Sequence, residues 1–534
     1  MRTNRGNRLI IINRLPDISE NEITPLIAAL LEIIQQQSEA IQFLRDEIAR
    51  LKGEKGRPTI RPSRLEKPSG AGNEDEKSSG KRPGSEKVSK TKDLEIHETK
   101  VIAANLVPEG SVFKGYLEYT VQDLEIRLHN VRYRVECWRT IDGKHVRGEL
   151  PQEVSGSHFG TTVKSFILYQ HYQQHVTRSL ILEGLKEWGI QISAGQLDRI
   201  LTEGKEEFHR EKDRILAVGL QVSSYVNVDE TGARHAGKNG YATHIGNDLF
   251  AWFASTESKS RINFLELLRA GQMDYMLNEE ALAYMQAQGL SEKGRSELQK
   301  HIGATIGDEA LWKVFLAEKG IIRGRHIRIA TEGALLGSVI AHGFSPAIIS
   351  DDAGQFNILV HGLCWVHAER IIAKLIGFND VQREAVEKVR SEIWAIYREL
   401  KSYKKVPTPE SRKNLETQFD AIFLQQTCFV SLNLALKRLY HNKDELLLVL
   451  KRPEIPIHNN TSERDIREYV KRRKISGGTR SNLGRQCRDT FVSLKKTCRK
   501  LGISFWDYLL DRVSGNYVIP QLPDLILAKT IAPG

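Results

Sequence analysis

The feature that most constrains the fold of this chain is a series of short strand patterns, each followed by acidic residues. Residues 225–228 read as a strand that ends at Asp229. Two further β-prone runs follow at 241–245 and 249–254, with turn residues at 246–248 between them. Closely spaced β-prone runs joined by turn residues form hairpins. The sequence therefore predicts a three-stranded meander whose first strand ends in an acid.

The same arrangement of a strand followed by an acid returns much later in the chain. Residues 347–350 form a fourth strand pattern that ends at Asp351, and 363–366 form a fifth. Residues 459–464 then open a helix, with Glu463 in its first turn. A strand-end Asp is ordinarily a turn former, and a first-turn Glu ordinarily interacts with the helix dipole. Each acid alone is therefore weak evidence, but their joint placement on three elements points to a shared site.

Acids placed in this way match an RNase-H-like fold, which assembles a divalent-metal site from strand ends and a later helix. Mg²⁺ takes hard oxygen ligands and only one or two carboxylates each. Two such ions can activate a water or a 3′-hydroxyl and stabilise the leaving oxygen of a phosphoryl transfer. The spacings of 122 residues from Asp229 to Asp351 and 112 residues from Asp351 to Glu463 are long for a minimal core. The sequence predicts an α/β catalytic domain over 220–515, with helical insertions near 271–327 and 378–450.

Two local details of this domain have alternative interpretations. The helix that carries Glu463 is expected to be capped by Asn460 or Thr461. Cys364 and His367 stand three residues apart, which is half of a zinc site, but no second pair stands at a matching spacing. The alternative is that Cys364 packs with its neighbour Trp365 on a core strand, while His367 reaches towards DNA or the acids.

The N-terminal region carries a heptad pattern followed by a polar segment. Isoleucine recurs every seven residues from Ile27 to Ile48, and leucine usually stands three positions later. This combination favours parallel two-stranded coiled coils. Residues 20–53 are predicted to form a coiled coil that makes a homodimer or a higher oligomer; the alternative is one amphipathic helix packed on its own core. Residues 54–93 are predicted to be a flexible basic linker, since 52–93 hold 12 Lys+Arg, 7 Asp+Glu and repeated Pro, Gly and Ser.

Two small modules are predicted between the linker and the catalytic domain. Residues 94–160 contain short alternating runs, such as 116–121 and 131–136, and are expected to be β-rich. Residues 161–215 are expected to form a helix-turn-helix-like DNA-binding domain, with Ser193 capping its second short helix. Other three-helix subdomains share this pattern. The three predicted helices lie near 162–174, 177–187 and 194–203.

Charge indicates the class of partner. The chain has 78 Lys+Arg against 67 Asp+Glu, a net charge of +11, and residues 464–500 hold 13 Lys+Arg against 3 acids. A basic segment of this kind neutralises phosphates, although a solvated helix face is the alternative. The glycines and serines at 476–484 are expected to add exposed backbone N–H groups. The predicted DNA-binding residues are Lys471, Arg472, Arg473, Lys474, Arg480 and Arg485.

The remaining composition argues against several classes of protein. The five cysteines include no C-x-x-C pair, which argues against a disulfide scaffold or a zinc ribbon. No apolar run approaches the ~20 residues of a membrane span. We therefore expect a cytoplasmic, nucleoid-associated protein with no membrane partner.

Four motifs in order carry a resemblance to a known family. They are residues 229–232 (DETG), 351–356 (DDAGQF), 364–370 (CWVHAER) and 459–464 (NNTSER). Together with the leading heptads and basic linker, this set resembles the insertion-sequence-66 family of DDE transposases over roughly 100–515. One departure is that many members carry cysteine pairs before the helix-turn-helix, whereas Cys137 stands alone here.

The resemblance implies an activity and assigns its residues. It implies that Asp229, Asp351 and Glu463 are the catalytic triad and hold two Mg²⁺ or Mn²⁺ ions. Asp352 is a reserve candidate for Asp351, and the residues expected around the triad are His367, Arg370, Arg464 and Asp352. The enzyme would bind double-stranded DNA at terminal inverted repeats, cut it and join the 3′ ends to a target, with or without accessory proteins of the same element.

Two other functions fit parts of the same pattern. One is a structure-selective nuclease on the same fold. The other is a DNA-binding regulator derived from a transposase and no longer catalytic, which an intact acid triad argues against. Inverted repeats flanking the coding region would favour the mobile element over the regulator.

Overall fold

The computed structural model describes residues 94–105, 107–151, 157–344 and 346–531. The predicted coiled coil at 20–53 and the predicted linker at 54–93 lie outside the described residues. Both stay predictions. None of the helices in the described residues is both long enough and apolar enough to cross a membrane.

The segment before residue 152 holds less β-structure than the sequence predicts. Strand β1 (Cys137–Arg139) pairs antiparallel with β2 (His145–Arg147), with Trp138 opposite Val146. The runs at 116–121 and 131–136 do not form strands. The physical reason is that their apolar side chains stay exposed, and a strand without a partner or a buried face is not stable on its own. The β-rich module over 94–160 therefore stays a prediction, supported here by one two-stranded ribbon.

Helices occupy the next segment at the positions that the sequence predicts. Helix α1 (Thr161–Leu168) continues into a π-helical turn (Tyr169–Gln173) and is followed by α2 (Arg178–Glu187), α3 (Ala194–Thr202) and α4 (Glu206–Val222). The Ser193 side chain accepts a hydrogen bond from the Gln196 backbone N–H and so caps α3 as expected. The buried residues of these helices belong to the same hydrophobic core as the sheet described next.

The largest sheet in the described residues is a mixed sheet of five strands. The antiparallel meander consists of β3 (Tyr225–Gly232), β4 (Tyr241–Gly246) and β5 (Ala251–Thr256), as the sequence predicts. The prediction that the first strand ends at Asp229 is wrong, because β3 stays paired with β4 as far as Gly232. Strand β8 (Ala347–Ser350) adds parallel to β3, and β9 (His361–Leu363) adds parallel to β8. The order across the sheet is β5-β4-β3-β8-β9. The chain is thus a mixed α/β protein around a central mixed sheet.

Helical insertions separate the strands. Between β5 and β8 lie α5 (Arg261–Leu268), β6 (Tyr275–Met276), α6 (Glu279–Ala287), α7 (Glu292–Gln299), β7 (Thr305–Ile306), α8 (Glu309–Glu318) and α9 (Gly324–Ala341). After β9 come α10 (Trp365–Ala373), α11 (Asp380–Tyr403), α12 (Pro409–Phe423), α13 (Val430–His441) and α14 (Lys443–Leu446). The second group packs on a second buried core, to which α11 contributes residues such as Val389, Ile393 and Ile396, and which also includes Ile349 of β8 and Leu363 of β9.

The C-terminal helices complete the core. They are α15 (Asn460–Ser476), α16 (Asn482–Leu501), α17 (Phe505–Ser514) and α18 (Leu522–Ile531). Helix α16 runs along the edge strand β5, where Thr497, Ser493 and Asp489 side chains accept hydrogen bonds from successive outward backbone N–H groups of that strand. Acceptor side chains four residues apart on the helix thus bind the backbone N–H of every second residue of the strand. Another strand therefore cannot pair with β5 along this edge.

Two local predictions about this region are wrong. The fifth strand covers His361–Leu363 rather than 363–366, because Cys364 is already the N-cap of α10 and Trp365 its first residue. Helix α15 is preceded by Asn459 as its N-cap, rather than by Asn460 or Thr461. Both differences arise from long-range contacts, since Trp365 donates to the distant Leu446 carbonyl and Asn459 bonds to β3.

Candidate active site

Two neighbouring strands bring Asp229 and Asp351 to the same level of the sheet. The parallel register pairs Asn227 of β3 with Ile349 of β8. Asp229 lies two residues beyond Asn227, and Asp351 lies two residues beyond Ile349. Parallel strands are about 4.8 Å apart, and residues at the same level share a face. The two acids therefore lie beside each other, one on β3 and one directly after β8, near the centre of the sheet.

The electrostatic environment of Asp229 reflects this arrangement. Burial, with the nearby carboxylates of Asp351 and Glu463, raises the pKa of Asp229 to about 7. The main opposing influence is a hydrogen bond at 2.7 Å from the Glu230 backbone N–H to Asp229 Oδ1. The carboxylates of Asp351, which follows β8, and of Glu463, which belongs to α15, thus both act on the partly buried Asp229.

Asp351 and the adjacent Asp352 have different partners. Asp352 is exposed and forms an ion pair with Arg438 of α13. Asp351 Oδ1 is buried and has no hydrogen-bond partner within the described residues. A buried carboxylate oxygen without a partner is costly, and a bound cation is one way in which it can be satisfied. Of the two, Asp351 is the acid that acts on Asp229.

Helix α15, which carries Glu463, is fixed to the sheet by the residue that precedes it. The Asn459 side chain is fully buried. Its Oδ1 accepts from Asn227 Nδ2 at 2.8 Å, and its Nδ2 donates to the Val228 carbonyl at 2.7 Å. The Asn459 backbone N–H donates to Cys364 Sγ at 3.1 Å. The first turn of α15 is thereby attached to β3 one residue before Asp229.

A second group of buried polar residues connects the same helix to β4. His244 of β4 lies opposite Asp229 in the sheet register. Its Nδ1 hydrogen-bonds Ser462 Oγ at 2.8 Å, and its Nε2 lies 3.3 Å from Asp465 Oδ2. Asp465 also pairs with Lys500 at 2.8 Å. This network holds the first turns of α15, the helix that carries Glu463, against β4.

Glu463 itself is paired with basic side chains from α10. Arg370 Nη1 donates to Glu463 Oε1 at 3.0 Å, and His367 Nε2 lies 3.6 Å from the same oxygen. Burial and the Arg370 charge lower the pKa of His367, which favours its neutral form. Arg464, also expected near the triad, is exposed, and its Nε donates to the Asn460 carbonyl at 3.3 Å. The structure thus brings His367 and Arg370 to the acids but not Asp352 or Arg464.

The neighbouring acid Glu230 is bound within the fold. Its carboxylate accepts from Thr243 Oγ1 at 2.8 Å and from Gln355 Nε2 at 2.9 Å. The second bond ties the end of β3 to the loop after β8. Glu230 therefore fixes the spacing of the two segments that carry Asp229 and Asp351.

The carboxylates of Asp229, Asp351 and Glu463 are suitable ligands for a divalent cation, although their side chains are not arranged around a preformed metal site. Within the described residues, no three His, Cys, Asp or Glu side chains are grouped so as to hold a metal. Glu463 is neutralised by Arg370 instead. The carboxylates nevertheless supply the hard oxygens that Mg²⁺ and Mn²⁺ prefer, and the unpartnered Asp351 Oδ1 is free to take one.

The predicted DNA-binding residues fall into two groups. Lys471, Lys474 and Arg480 are exposed, and Arg485 is half-buried. Arg472 and Arg473 turn inward: Arg472 donates to the His171 carbonyl at 3.1 Å, and Arg473 donates to the Gly232 carbonyl. Burial lowers the pKa of Arg472 to about 10.

Much of the remaining charge in 464–500 is also internal. Arg488, Lys495 and Lys496 are buried on α16. Lys495 pairs with Glu468 at 2.7 Å, and Lys496 with Asp465 at 3.4 Å. The basic segment therefore presents fewer cations to solvent than its sequence indicates.

The glycines after α15 are exposed and lie in a turn that contacts the β3–β4 loop. Gly478 packs so closely on the Arg234 carbonyl that a Cβ there would lie 2.4 Å from that oxygen. The Thr479 backbone N–H donates to the same carbonyl at 3.0 Å, and His235 Nδ1 hydrogen-bonds Thr479 Oγ1 at 2.9 Å. The expectation that this stretch offers free backbone donors is thus wrong for Thr479, because the turn closes onto the β3–β4 loop.

Sequence reasoning misses the residues that position the acids. Asn227, His244 and Asn459 are buried polar groups whose partners are far away in the chain. One signal in the sequence is the Asn-Asn pair at the start of α15, which local pattern alone interprets as a helix cap. A buried polar residue in a strand pattern, such as Asn227, also indicates a required hydrogen bond.

Two comparisons with known proteins indicate the family of this chain. A family model described as "Transposase IS66 family" matches residues 334–486. The matched region includes Asp351, His367 and Glu463 but not Asp229. The "Uncharacterized protein y4jO" of Sinorhizobium fredii (strain NBRC 101917 / NGR234) is 43% identical over 320 residues, which are 59% of this chain and 100% of that protein. The chain therefore belongs to the IS66 family of transposases.

Proposed function

We propose that this chain is a DDE-type DNA transposase whose catalytic and metal-binding residues are Asp229, Asp351 and Glu463. The observation that supports the proposal is that the buried carboxyl of Asp229 lies near enough to Asp351 and Glu463 for both to raise its pKa, while Asp351 Oδ1 is unpartnered within the described residues. A buried acid whose pKa is raised by burial and by neighbouring carboxylates, as that of Asp229 is, is characteristic of functional sites.

The topology supports an RNase-H-like core. Three antiparallel strands are followed by two parallel strands added beside the first, and a later helix brings the third acid. The helical segments after β5 and after β9 act as insertions into this core. Family membership supports the same conclusion independently of the strand order.

The contacts of these residues suggest which of them would bind metal and which would position the others. Two Mg²⁺ or Mn²⁺ ions, held by Asp229, Asp351 and Glu463, would supply the Lewis acid for an in-line phosphoryl transfer to water or a 3′-hydroxyl. Asp229 and Asp351 present their oxygens from adjacent strands that Glu230 ties together. His367 and Arg370 contact Glu463 and keep that side chain positioned when its negative charge would otherwise be repelled by the other acids.

The DNA partner is proposed from family and charge. Exposed Lys471, Lys474 and Arg480 are suited to phosphate contacts, and α3 would act as the recognition helix of a helix-turn-helix. The substrate would be the terminal inverted repeats of the element and a target duplex. We also propose that the chain self-associates through the 20–53 coiled coil and acts with or without accessory proteins of the same element. Its proposed location is the cytoplasm, in association with the nucleoid.

The alternative is a DNA-binding regulator derived from a transposase. It would retain the DNA contacts but not the cleavage. The three acids and the buried residues that position them argue for the enzyme, since a regulator has no need of a buried carboxylate oxygen that lacks a partner.

The test is metal-dependent nicking of a labelled duplex that carries the inverted repeats flanking the gene. Asp229→Asn, Asp351→Asn and Glu463→Gln should each eliminate nicking while binding to the same duplex persists. Asp352→Asn is the matched control and should keep substantial activity, because Asp352 pairs with Arg438 instead of joining the acids. Robust cleavage by Glu463→Gln would refute the helix-borne ligand and with it the site.

A further inference from the structure

A pocket of about 580 Å³ borders α15, and none of the three acids is among its lining residues. It lies between the π-helical turn after α1, helices α15 and α16, and the first turn of α17. This volume is within the range of small-molecule sites, about 300–1,000 Å³. Its walls include Tyr169, Gln173, His175, Lys471, Arg499 and Trp506.

The charge of this pocket is strongly positive. Four of its lining residues are Lys or Arg, and Glu468 is its acid. Glu468 is already satisfied, since it pairs with His175 and with Lys495 at 2.7 Å. Lys471 and Arg499 are exposed and form no ion pair within the described residues. Two uncompensated cations therefore remain at the opening, which suits an anionic ligand.

The pocket also offers aromatic surface. The rings of Tyr169 and Trp506 meet edge to face, with centroids 5.7 Å apart, and both are half-buried. Phe505 lies behind them, 6.5 Å from Tyr169. Cations beside half-buried aromatic rings form the combination by which proteins bind the phosphates and bases of single-stranded nucleic acid.

The backbone of this wall departs from regular geometry. Tyr169 and Gln173 begin and end a π-helical turn, and such turns occur frequently at functional sites. His175, two residues later, has φ of 63°, in the left-handed region that is unfavourable for a non-glycine residue. Gln173 Oε1 and His175 Nδ1 are buried without hydrogen-bond partners in the described residues. Strain and unsatisfied polar atoms thus coincide at one wall of the pocket.

The distance from the acids follows from the geometry of α15. Lys471 stands eight residues after Glu463, which is about 12 Å along a helix axis. A strand whose phosphate lies at the acids would reach Lys471 within a few nucleotides, since an extended backbone rises several ångströms for each one. The pocket is therefore within reach of the same DNA strand.

We propose that this pocket binds an unpaired nucleotide of the DNA strand, with its phosphate at Lys471 and Arg499 and its base against Trp506 and Tyr169. The inference rests on the proposed function, because it takes DNA as the substrate. It deepens that function by assigning a site for a base that has left the duplex near the cleavage position. Such a site would favour end sequences that unpair easily.

The experiment uses the full chain in chelator, so that the DNA stays intact, with duplexes that are either blunt or carry a short single-stranded extension. 5-Iodo-deoxyuridine is placed at successive positions, and ultraviolet cross-links are mapped by mass spectrometry. We expect a cross-link to Trp506 or Tyr169 from one or two adjacent positions. Trp506→Ala should bind the extended duplex about tenfold more weakly, as expected for the loss of one stacked base, and bind the blunt duplex as wild type does.

Two control variants separate stacking from misfolding. Trp506→Phe keeps a ring and should restore most of the binding that Trp506→Ala loses. Trp138→Ala removes an exposed tryptophan of the β1–β2 ribbon and should bind both duplexes as wild type does. Equal binding of the extended duplex by Trp506→Ala and wild type, or cross-links that map elsewhere, would overturn the inference.

Two further outcomes distinguish this inference from related ideas. If ATP or inorganic phosphate alone displaces the cross-link at micromolar concentration, the pocket is a site for a free nucleotide or anion, and the assignment to a DNA strand is wrong. If wild type shows the cross-link but no metal-dependent nicking, the catalytic proposal fails while the nucleotide site stands.

Discussion

Replacing Asn459 by alanine tests whether the buried contacts before α15 position Glu463. Asn459 is fully buried and connects α15 to β3 through both ends of its amide. Its Oδ1 accepts from Asn227 Nδ2, and its Nδ2 donates to the Val228 carbonyl. Alanine removes both bonds and leaves two polar groups of the sheet without partners in the interior.

The size of the effect follows from those two groups. A buried donor or acceptor left unpaired costs about 1–3 kcal/mol. Asn459→Ala should therefore lower the free energy of unfolding by about 2–5 kcal/mol, which is large for one substitution. It should also lower metal-dependent nicking by more than the loss of folded protein explains, because Glu463 is then held less firmly.

The matched control is the next residue. Asn460 is half-buried, and its side chain makes no hydrogen bond within the described residues. Asn460→Ala should change the free energy of unfolding by less than about 1 kcal/mol. Denaturant unfolding followed by tryptophan fluorescence compares the two variants, since Trp365 is buried beside this junction and donates its backbone N–H to the Ile457 carbonyl. Equal destabilisation by Asn459→Ala and Asn460→Ala would refute the reasoning.

Three further predictions address charge and assembly. Folding raises the pKa of Asp229 from 3.8 to about 7, so ionisation of this carboxyl destabilises the folded state above pH 4, and fully so above pH 7. In chelator at pH 8, Asp229→Asn should therefore melt at a higher temperature than wild type. The difference in melting temperature should vanish below pH 4, where Asp229 is protonated in both states. Replacing exposed Lys471, Lys474 and Arg480 with Gln should reduce the slope of log K against log salt by about 3 for duplex DNA, since each phosphate contact contributes about 0.9, and an unchanged slope would show that these residues do not contact phosphates. Removing residues 1–51 should lower the molar mass measured by light scattering; an unchanged mass would contradict the coiled-coil interpretation of the heptads.

The sequence determined the elements that carry the site. The meander, the strand before Asp351 and the helix after Asn459 could be recognised from local patterns, because periodicity and turn residues act over a few neighbours in the chain. The order of strands and acids also indicated that Asp229, Asp351 and Glu463 belong together. Their roles in catalysis stay a prediction that the nicking assay tests.

Only the tertiary structure determines which charged residues face solvent, because local sequence does not reveal their distant partners. Arg472 and Lys471 are adjacent basic residues on one helix, yet Arg472 is bonded to the His171 carbonyl and Lys471 is exposed. Asp351 and Asp352 differ in the same way, since only the second meets Arg438. The reason is physical: a charge is satisfied by whatever group packs against it, and here those groups come from segments far away in the chain. Local sequence determines which face of an element a residue occupies, but the partner at that face appears only when the distant segments are folded together.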